Sequence, residues 1–155
     1  MENIITIDGP SGVGKGTLAM SLATKLQWHY LNSGSLYRTL AYLSEQQNIE
    51  HSNTNDLVKL AKNLCVDFKI INKELVVFLD NINISDYIQT EECAKRASII
   101  ASNNTIRESL IRTQRLFYKK PGLVAEGRDM GSVIFKEAKI KYFLQASVKL
   151  RAERR

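Results

Sequence analysis

Residues 9–17 of this 155-residue chain read Gly-Pro-Ser-Gly-Val-Gly-Lys-Gly-Thr. Gly9, Gly14 and Lys15 match the pattern G-x-x-x-x-G-K of phosphate-binding loops. In such a loop, successive backbone N–H groups surround the α- and β-phosphates, and the lysine reaches the β- and γ-phosphates. The predicted phosphate-binding residues are therefore Gly9, Pro10, Ser11, Gly12, Val13, Gly14, Lys15, Gly16 and Thr17.

The segments on either side of this loop are those that the motif requires. Residues 3–8 contain three isoleucines and predict a short buried strand. After the loop, apolar residues recur at helical spacing and predict a helix whose N-terminal dipole favours an anion; they are Leu18, Leu22, Ala23 and Leu26. The order of strand, loop and helix predicts a nucleoside phosphate site, and the alternative is a glycine-rich turn that binds nothing.

One position departs from the general motif. A serine or threonine usually follows the lysine and holds Mg²⁺ through its hydroxyl group, whereas this chain has Gly16 there and Thr17 one residue later. The form Gly-Lys-Gly-Thr resembles the nucleoside monophosphate kinases more than the GTPases or motor ATPases. The resemblance implies a Mg²⁺ ion held mostly by phosphate oxygens and water, since this ion retains its waters readily.

Composition narrows the class of ligand. The chain has 22 Lys and Arg against 16 Asp and Glu, a formal net charge of +6, which suits nucleic acid, an anionic membrane or a small polyanion. Many arginines stand singly beside other motif-like residues instead of forming a basic stripe with aromatic residues, which favours the small polyanion. The alternative is a solvated surface that happens to be basic. We therefore expect no nucleic acid and no membrane among the partners.

The remaining bulk features favour a single soluble domain. Two separate cysteines and two separate histidines form no metal-ligand cluster, and no direct metal ligand is predicted. The chain begins close to its first predicted strand without a signal peptide, and no apolar run approaches membrane-spanning length. These features predict a reduced, cytoplasmic protein.

Further along the chain, strand patterns alternate with helical ones. Residues 36–43 have helical spacing, and residues 68–71 and 75–79 predict a hairpin around Asn72-Lys73-Glu74. Residues 83–88 suggest a short third strand of this insertion, and residues 90–102 read as helical. The alternation predicts a parallel sheet with right-handed crossovers, whose ligands collect at the carboxyl ends of the strands.

The last third of the chain follows the same alternation. Thr105 and Glu108 predict a capping box that opens a helix with Ile106, Leu110 and Phe117 toward the core, and Pro121-Gly122 should end it. Residues 123–125 then predict a second buried strand that leads into Glu126-Gly127-Arg128-Asp129, and residues 140–144 predict a third.

Three further stretches identify a family. They are Asn32-Ser33-Gly34-Ser35-Leu36-Tyr37-Arg38, Glu126-Gly127-Arg128-Asp129-Met130-Gly131-Ser132-Val133, and Ala146-Ser147 running into Arg151-Ala152-Glu153-Arg154-Arg155. Together with the loop at residues 9–17, in this order and at about these separations, they resemble the bacterial cytidylate kinases among the nucleoside monophosphate kinases. The hairpin insertion also resembles that family. The resemblance runs from residue 4 to residue 155.

The resemblance implies a set of residues that bind CMP. Ser33 matches a serine at the substrate phosphate or ribose, with a helix N-cap as the alternative. Arg38 and Arg128 match arginines that hold the acceptor phosphate, because a guanidinium fork suits two phosphate oxygens; an exposed helix residue is the alternative for Arg38. Lys15 and Arg128 are the residues assigned to catalysis.

Base recognition is implied for Asp129 and Arg107, with Ser98 as a companion. Cytosine offers an amino donor where uracil has a carbonyl acceptor, so a carboxylate that accepts from N4 favours cytosine. An ion pair of Arg107 with an aspartate, or a turn cap by Asp129, is the alternative. Glu126 lies where an acidic residue could hold a Mg²⁺-bound water, although members of the family often carry aspartate there.

The implied activity is transfer of the γ-phosphoryl group of ATP, with Mg²⁺, to CMP or dCMP by a cytoplasmic monomer. The implied fold is an α/β, P-loop NTPase-type parallel sheet flanked by helices, in one domain, with an NMP-binding region at about residues 33–100 that includes a β insertion at about 65–88. Arg151, Arg154 and Arg155 resemble the start of a lid at about residues 147–155, with a solvated helix end as the alternative.

The family pattern continues beyond residue 155, so the resemblance also implies a chain truncated at the start of the lid. Such a form is expected to bind phosphate at residues 9–17 but to turn over CMP poorly. The alternatives for function are a kinase for UMP, AMP or shikimate, and a nucleotide-sensing or nucleic-acid-binding module without catalysis.

Overall fold

A computed structural model describes residues 3–149 of the chain. Its elements follow in the order β1 (Ile4–Asp8), α1 (Lys15–Leu26), β2 (His29–Asn32), α2 (Ser33–Gln46), α3 (Thr54–Lys62), β3 (Val66–Ile71), β4 (Glu74–Leu79), β5 (Ile82–Asn83), α4 (Ser85–Ile88), α5 (Glu91–Ser102), α6 (Asn104–Arg115), β6 (Leu123–Gly127), a π-helical turn (Met130–Ile134) and β7 (Ile140–Phe143). Within these residues, no helix has the length and apolar character needed to cross a membrane.

The described residues divide into two compact units. The first unit comprises residues 3–32, 72–74 and 115–149, and the second comprises residues 33–71 and 75–114. The predicted phosphate-binding loop lies in the first unit.

The first unit is built on a parallel sheet in the strand order β2-β6-β1-β7. Every residue of β1 is buried, as are the first four of β6, which explains their apolar sequences without alternation. In the register of the sheet, Asp8 pairs with Gly127 and Asn32 pairs with Glu126, so the carboxyl ends of three strands coincide. The predicted parallel sheet is confirmed, and it includes β2, a strand for which the sequence analysis made no prediction.

Helix α1 packs against β6, β2 and β1 through small residues. Its buried positions are Ala19 and Ala23, whereas Leu18 and Leu26 are 44% and 37% exposed. The predicted helix is present, and its buried positions are alanines, which allow close packing against the sheet.

The second unit combines helices with a small sheet of order β3-β4-β5. Helix α2 packs against α3, α4 and α5, and its buried residues include Leu36 and Leu40. Helix α3, which the sequence analysis did not find, begins at Asn53, whose side-chain oxygen accepts from the backbone N–H of Asp56 at 3.2 Å. The chain thus contains a parallel sheet flanked by helices and a separate small antiparallel sheet, which confirms the predicted fold class.

The hairpin of this small sheet differs from its prediction in two details. Its turn has two residues, Asn72 and Lys73, both with positive φ (52° and 66°), so Glu74 begins β4 and does not belong to the turn. The predicted third strand at residues 83–88 is wrong, because β5 ends at Asn83 and helix α4 follows. The Asn83 Oδ1 atom accepts from the backbone N–H and the hydroxyl of Ser85, and this local turn ends the strand.

Helix α6 also begins differently. The Oδ1 atom of Asn103 accepts from the backbone N–H groups of Thr105 and Ile106, so Asn103 is the cap and the predicted Thr105–Glu108 capping box is wrong. Ile106 and Leu110 are fully buried as predicted. Phe117, however, is half-buried and lies beyond the helix, which ends at Arg115 and so before Pro121-Gly122.

Candidate functional site

The loop between β1 and α1 has a backbone that glycine makes possible. Gly9, Gly12 and Gly14 have φ angles of 149°, 79° and 93°, all in the region that disfavours other residues. A Cβ atom on Gly9 would collide with the carbonyl oxygen of Leu144. Gly14 occupies the N-cap position of α1 without a side-chain cap, and no acidic residue lies in the first turn. This arrangement is suited to an anion at the helix N-terminus.

Lys15 is the first residue of α1, and its side chain folds back across the loop. Its Nζ atom donates to the carbonyl oxygen of Pro10 at 2.8 Å. Burial lowers the pKa of this ammonium group from its ordinary value; the charge of Glu126 opposes the shift, Arg128 adds to it and Asp8 opposes it. The lysine is thus a half-buried cation among charged groups, held at the mouth of the loop.

Glu126 is a buried carboxylate at the end of β6, only 5% exposed. Its Oε1 atom accepts hydrogen bonds from the hydroxyl of Tyr30 and from Nδ2 of Asn32, the latter at 2.7 Å. Burial raises the pKa of Glu126 above its ordinary value, while the Tyr30 hydrogen bond, the charge of Lys15 and the Asn32 hydrogen bond oppose that shift. Burial also raises the pKa of the Tyr30 hydroxyl, and the Glu126 charge adds to it, so the phenol remains a donor.

The glycine that replaces the usual serine or threonine lies against this carboxylate. A Cβ atom on Gly16 would lie 3.3 Å from Oε1 and 3.8 Å from Oε2 of Glu126. The first distance is tighter than most side-chain contacts, so Gly16 leaves the space that Glu126 occupies. A carboxylate therefore takes the place beside α1 where the general motif has a hydroxyl group.

A second acidic residue organises the segment after β6. Asp8, at the end of β1, accepts from the backbone N–H groups of Met130 and Gly131, both at 2.9 Å. The turn that follows is π-helical, with the N–H groups of Ile134 and Phe135 bonded to carbonyl oxygens five residues earlier. Single π-turns are frequent at functional sites.

Arg128 and Asp129 lie between β6 and the π-helical turn. Arg128 is exposed and close enough to Lys15 to influence its charge, so the structure brings the two residues assigned to catalysis into one electrostatic environment. Asp129 is half-buried and occupies the cap position of the turn. Its side chain makes no capping hydrogen bond to this turn, while its backbone carbonyl accepts from the N–H group of Val133 at 2.9 Å.

The remaining predicted CMP-binding residues lie in the second unit. Ser33 is buried at the start of α2, and its hydroxyl donates to Oε1 of Gln114 at 3.0 Å. Arg38 is half-buried and donates to the carbonyl oxygen of Ile88 at 2.8 Å, so it is not the exposed helix residue of the alternative.

Ser98 is exposed on α5, and Arg107 on α6 is half-buried with Nη1 donating to the carbonyl oxygen of Ala101 at 3.4 Å. The predicted lid residues Arg151, Arg154 and Arg155 lie outside the described residues.

The first unit fits a nucleotide with Mg²⁺. The left-handed glycines leave a cradle of backbone N–H groups, and Lys15 supplies a cation for the phosphates. Glu126 supplies carboxylate oxygen, the donor type that suits Mg²⁺ and the waters it carries.

Sequence reasoning missed three residues of this unit, namely Asp8, Tyr30 and Asn32. Asp8 and Asn32 end β1 and β2 at the edge where ligands collect, so their position was an available signal. No sequence signal indicated Tyr30, because a tyrosine inside an apolar stretch is interpreted as a core residue until the partner of its hydroxyl group is known.

Comparison with known proteins gives a consistent result. A family model described as cytidylate kinase matches residues 5–155. A cytidylate kinase of Aeromonas salmonicida (strain A449) is 48% identical over 155 residues, covering 100% of this chain and 67% of the relative. A cytidylate kinase of Escherichia coli (strain K12 / DH10B) is 47% identical over 152 residues, covering 98% of this chain and 67% of the relative.

The chain thus spans about two thirds of the length of these relatives. The match extends over the glycine loop, over Glu126 with its neighbours and over the insertion of the second unit. The chain belongs to the cytidylate kinase family.

Proposed function

We propose that this chain transfers the γ-phosphoryl group of ATP to CMP or dCMP, giving ADP and CDP or dCDP. The observation that carries the proposal is the loop of left-handed glycines whose lysine lies beside Glu126 and Arg128. Such a loop binds the phosphates of a nucleoside triphosphate. Membership of the cytidylate kinase family supports CMP or dCMP as the acceptor.

The reaction needs no covalent intermediate on the protein. An oxygen of the acceptor phosphate attacks the γ-phosphorus in line, and catalysis consists of positioning and of neutralising charge around a loose transition state. Lys15 stabilises the transferring group. Arg38 and Arg128 hold the acceptor phosphate, to which a guanidinium group offers two parallel donors.

Choice of the base is assigned to Asp129 and Arg107. Asp129 accepts from the cytosine amino group and Arg107 donates to the base acceptors, with Ser98 as a companion and Ser33 at the phosphate or ribose. The half-buried state of Asp129 supports this role, because a partly desolvated carboxylate discriminates against a base that offers no donor.

Mg²⁺ neutralises phosphate charge when it is bound with ATP. In this proposal, phosphate oxygens and water hold the ion, and Glu126 accepts a hydrogen bond from one of those waters. The NMP-binding region is assigned to about residues 33–100, and the lid to residues that begin at about 147. The enzyme is proposed to act as a monomer on free nucleotides in the cytoplasm.

A panel of acceptors tests the proposal. The purified chain is incubated with Mg²⁺-ATP and CMP, dCMP, UMP, AMP or shikimate, and ADP release and nucleotide binding are measured in parallel. The proposal predicts that CMP or dCMP is the preferred acceptor and the tightest monophosphate ligand. Preference for another acceptor, or ATP binding without selective CMP binding, would contradict it.

A further inference from the structure

The phosphate-binding loop alone does not explain the group formed by Tyr30, Asn32 and Glu126. Tyr30 is 4% exposed and Glu126 is 5% exposed, so the phenol and the carboxylate meet inside the first unit. Nδ2 of Asn32 lies 3.3 Å from the Tyr30 hydroxyl and 2.7 Å from Glu126 Oε1, which closes a triangle of hydrogen bonds.

The hydrogen bonds of Tyr30 and Asn32 compensate part of the free-energy cost of burying Glu126. A carboxylate taken out of water is costly unless hydrogen bonds and an opposite charge compensate it. Two donors bind one oxygen, Oε1, and Lys15 supplies the opposite charge. Asp8 on β1 and the exposed Arg128 are the other charged groups around Lys15, and Asp8 is already bonded to backbone N–H groups.

The geometry also explains why a tyrosine stands at position 30. Asn32 and Glu126 are directly paired in the β2–β6 register, so Asn32 reaches the carboxylate from beside it. Tyr30 lies two residues earlier on the same face of β2, and a long side chain spans such a diagonal. Because the two donors approach from one strand, the carboxylate is held against Gly16 on α1.

We propose that Tyr30 is a positioning residue, which with Asn32 holds the Glu126 carboxylate beside Lys15 and Gly16, aimed at the waters of nucleotide-bound Mg²⁺. This inference rests on the proposed function for its ligand, Mg²⁺-ATP. Tyr30 and Asn32 act only through Glu126 and do not touch the nucleotide. The Glu126 carboxylate takes the role in Mg²⁺ binding that the serine or threonine hydroxyl group has in the general motif, because position 16 is a glycine in this chain.

A double-mutant cycle on ATP binding tests this role. ATP affinity is measured by titration calorimetry with Mg²⁺ and with EDTA in the parent chain, Tyr30→Phe, Glu126→Gln and the double variant. Tyr30→Phe keeps the ring and removes only the donor. We expect the Mg²⁺-dependent gain in ATP affinity to fall by about tenfold, the scale of one hydrogen bond to a charged group, with little change in EDTA.

The matched control is Tyr87→Phe, which removes the hydroxyl of a 61% exposed tyrosine in the second unit and should leave both affinities unchanged. Asn32→Ala serves as a second probe of the same carboxylate and should act in the same direction. Circular dichroism and thermal unfolding verify that each variant is folded.

The outcomes separate the possibilities. If Tyr30 acts through Glu126, its substitution has no further effect in the Glu126→Gln background. An equal loss of affinity with and without Mg²⁺, or the same effect in both backgrounds, would show a merely structural role and overturn the inference. A parent chain that fails to bind ATP would overturn this inference and the proposed function together. If the two substitutions are coupled in this way but the chain does not bind CMP selectively, the proposed function is contradicted and the inference about Tyr30 stands.

Discussion

At the scale of single residues, the first unit buries charged side chains, whereas a folded protein usually keeps such groups in contact with water. Lys15 and Glu126 are both withdrawn from water, and burial moves both pKa values toward the neutral forms. The charge of each opposes this shift in the other, and the hydrogen bonds of Tyr30 and Asn32 also oppose it at Glu126. Such mutually dependent charges are typical of sites that stabilise a transition state.

In an active form of the enzyme, replacement of Lys15 by alanine should lower turnover about 10²- to 10³-fold, because a preorganised cation acts mainly on the charge of the transition state. ADP release relative to the parent chain measures the effect, and circular dichroism checks the fold. Lys25→Ala, in the last turn of the same helix, is the control and should change little. Turnover within a few-fold of the parent would show that Lys15 is not the lysine of a phosphate-binding loop.

Asp129→Ala should weaken CMP binding and relax the choice of base while ATP binding stays nearly unchanged. The reason is that a site built to accept from an amino group loses its discrimination when the acceptor is removed. Titration with CMP, UMP and ATP measures the three affinities, and Asp67→Ala on the small sheet is the control. Equal losses for ATP and CMP would instead indicate a structural role.

At the scale of elements, local backbone geometry decides where the helices and strands end. Asn53 and Asn103 set the starts of α3 and α6 by accepting backbone N–H bonds, and Asn83 ends β5 in the same way. The two-residue turn between β3 and β4 requires left-handed backbone at both positions, which Asn72 tolerates and Lys73 does not favour.

Opposite effects are expected from two lysine-to-glycine changes, one in the turn between β3 and β4 and one inside α5. Lys73→Gly should raise stability by about 1 kcal/mol, because glycine removes the cost of the left-handed conformation. Lys95→Gly, at an exposed position inside α5, should lower it by about 1 kcal/mol. Chemical denaturation of both variants measures the difference, and a loss of stability in Lys73→Gly would contradict the turn geometry.

At the scale of the whole molecule, the buried carboxylate makes stability depend on pH. The folded pKa of Glu126 is raised, so the folded state takes up its proton at a higher pH than the unfolded chain does. Its contribution to stability is therefore most favourable below its ordinary pKa and is lost as pH rises through the folded value. In its ionised form, the buried carboxylate therefore costs stability for the sake of its site.

At pH 7, the free energy of unfolding of Glu126→Gln should accordingly exceed that of the parent by about 1 kcal/mol, although the site of the variant is impaired. Chemical denaturation measures this difference. The advantage should shrink as pH falls, and it should be smallest below the ordinary pKa of glutamate, where the parent is protonated in both states. Glu74→Gln at an exposed strand end provides the control without such a trend. A constant difference between pH 4 and pH 7 would contradict this assignment.

Much of this protein follows from its sequence alone. The glycine spacing of residues 9–17 and the isoleucine-rich strand before it determine a phosphate-binding loop, because glycine adopts the positive φ angles of Gly9, Gly12 and Gly14 without steric cost. The residue patterns around Arg38 and Asp129 indicate the family, to which the comparisons also assign the chain. Local periodicity was sufficient for the parallel sheet and the hairpin insertion.

Only the tertiary structure decided which faces are buried and which side chains meet. Helical spacing alone does not show that α1 buries Ala19 and Ala23 while Leu18 is 44% exposed. Tyr30 and Glu126 are 96 positions apart in the chain, and their contact depends on the register between β2 and β6. Spacing along a chain reports local backbone geometry, whereas the partner of a buried polar group is set by long-range pairing that no local pattern contains.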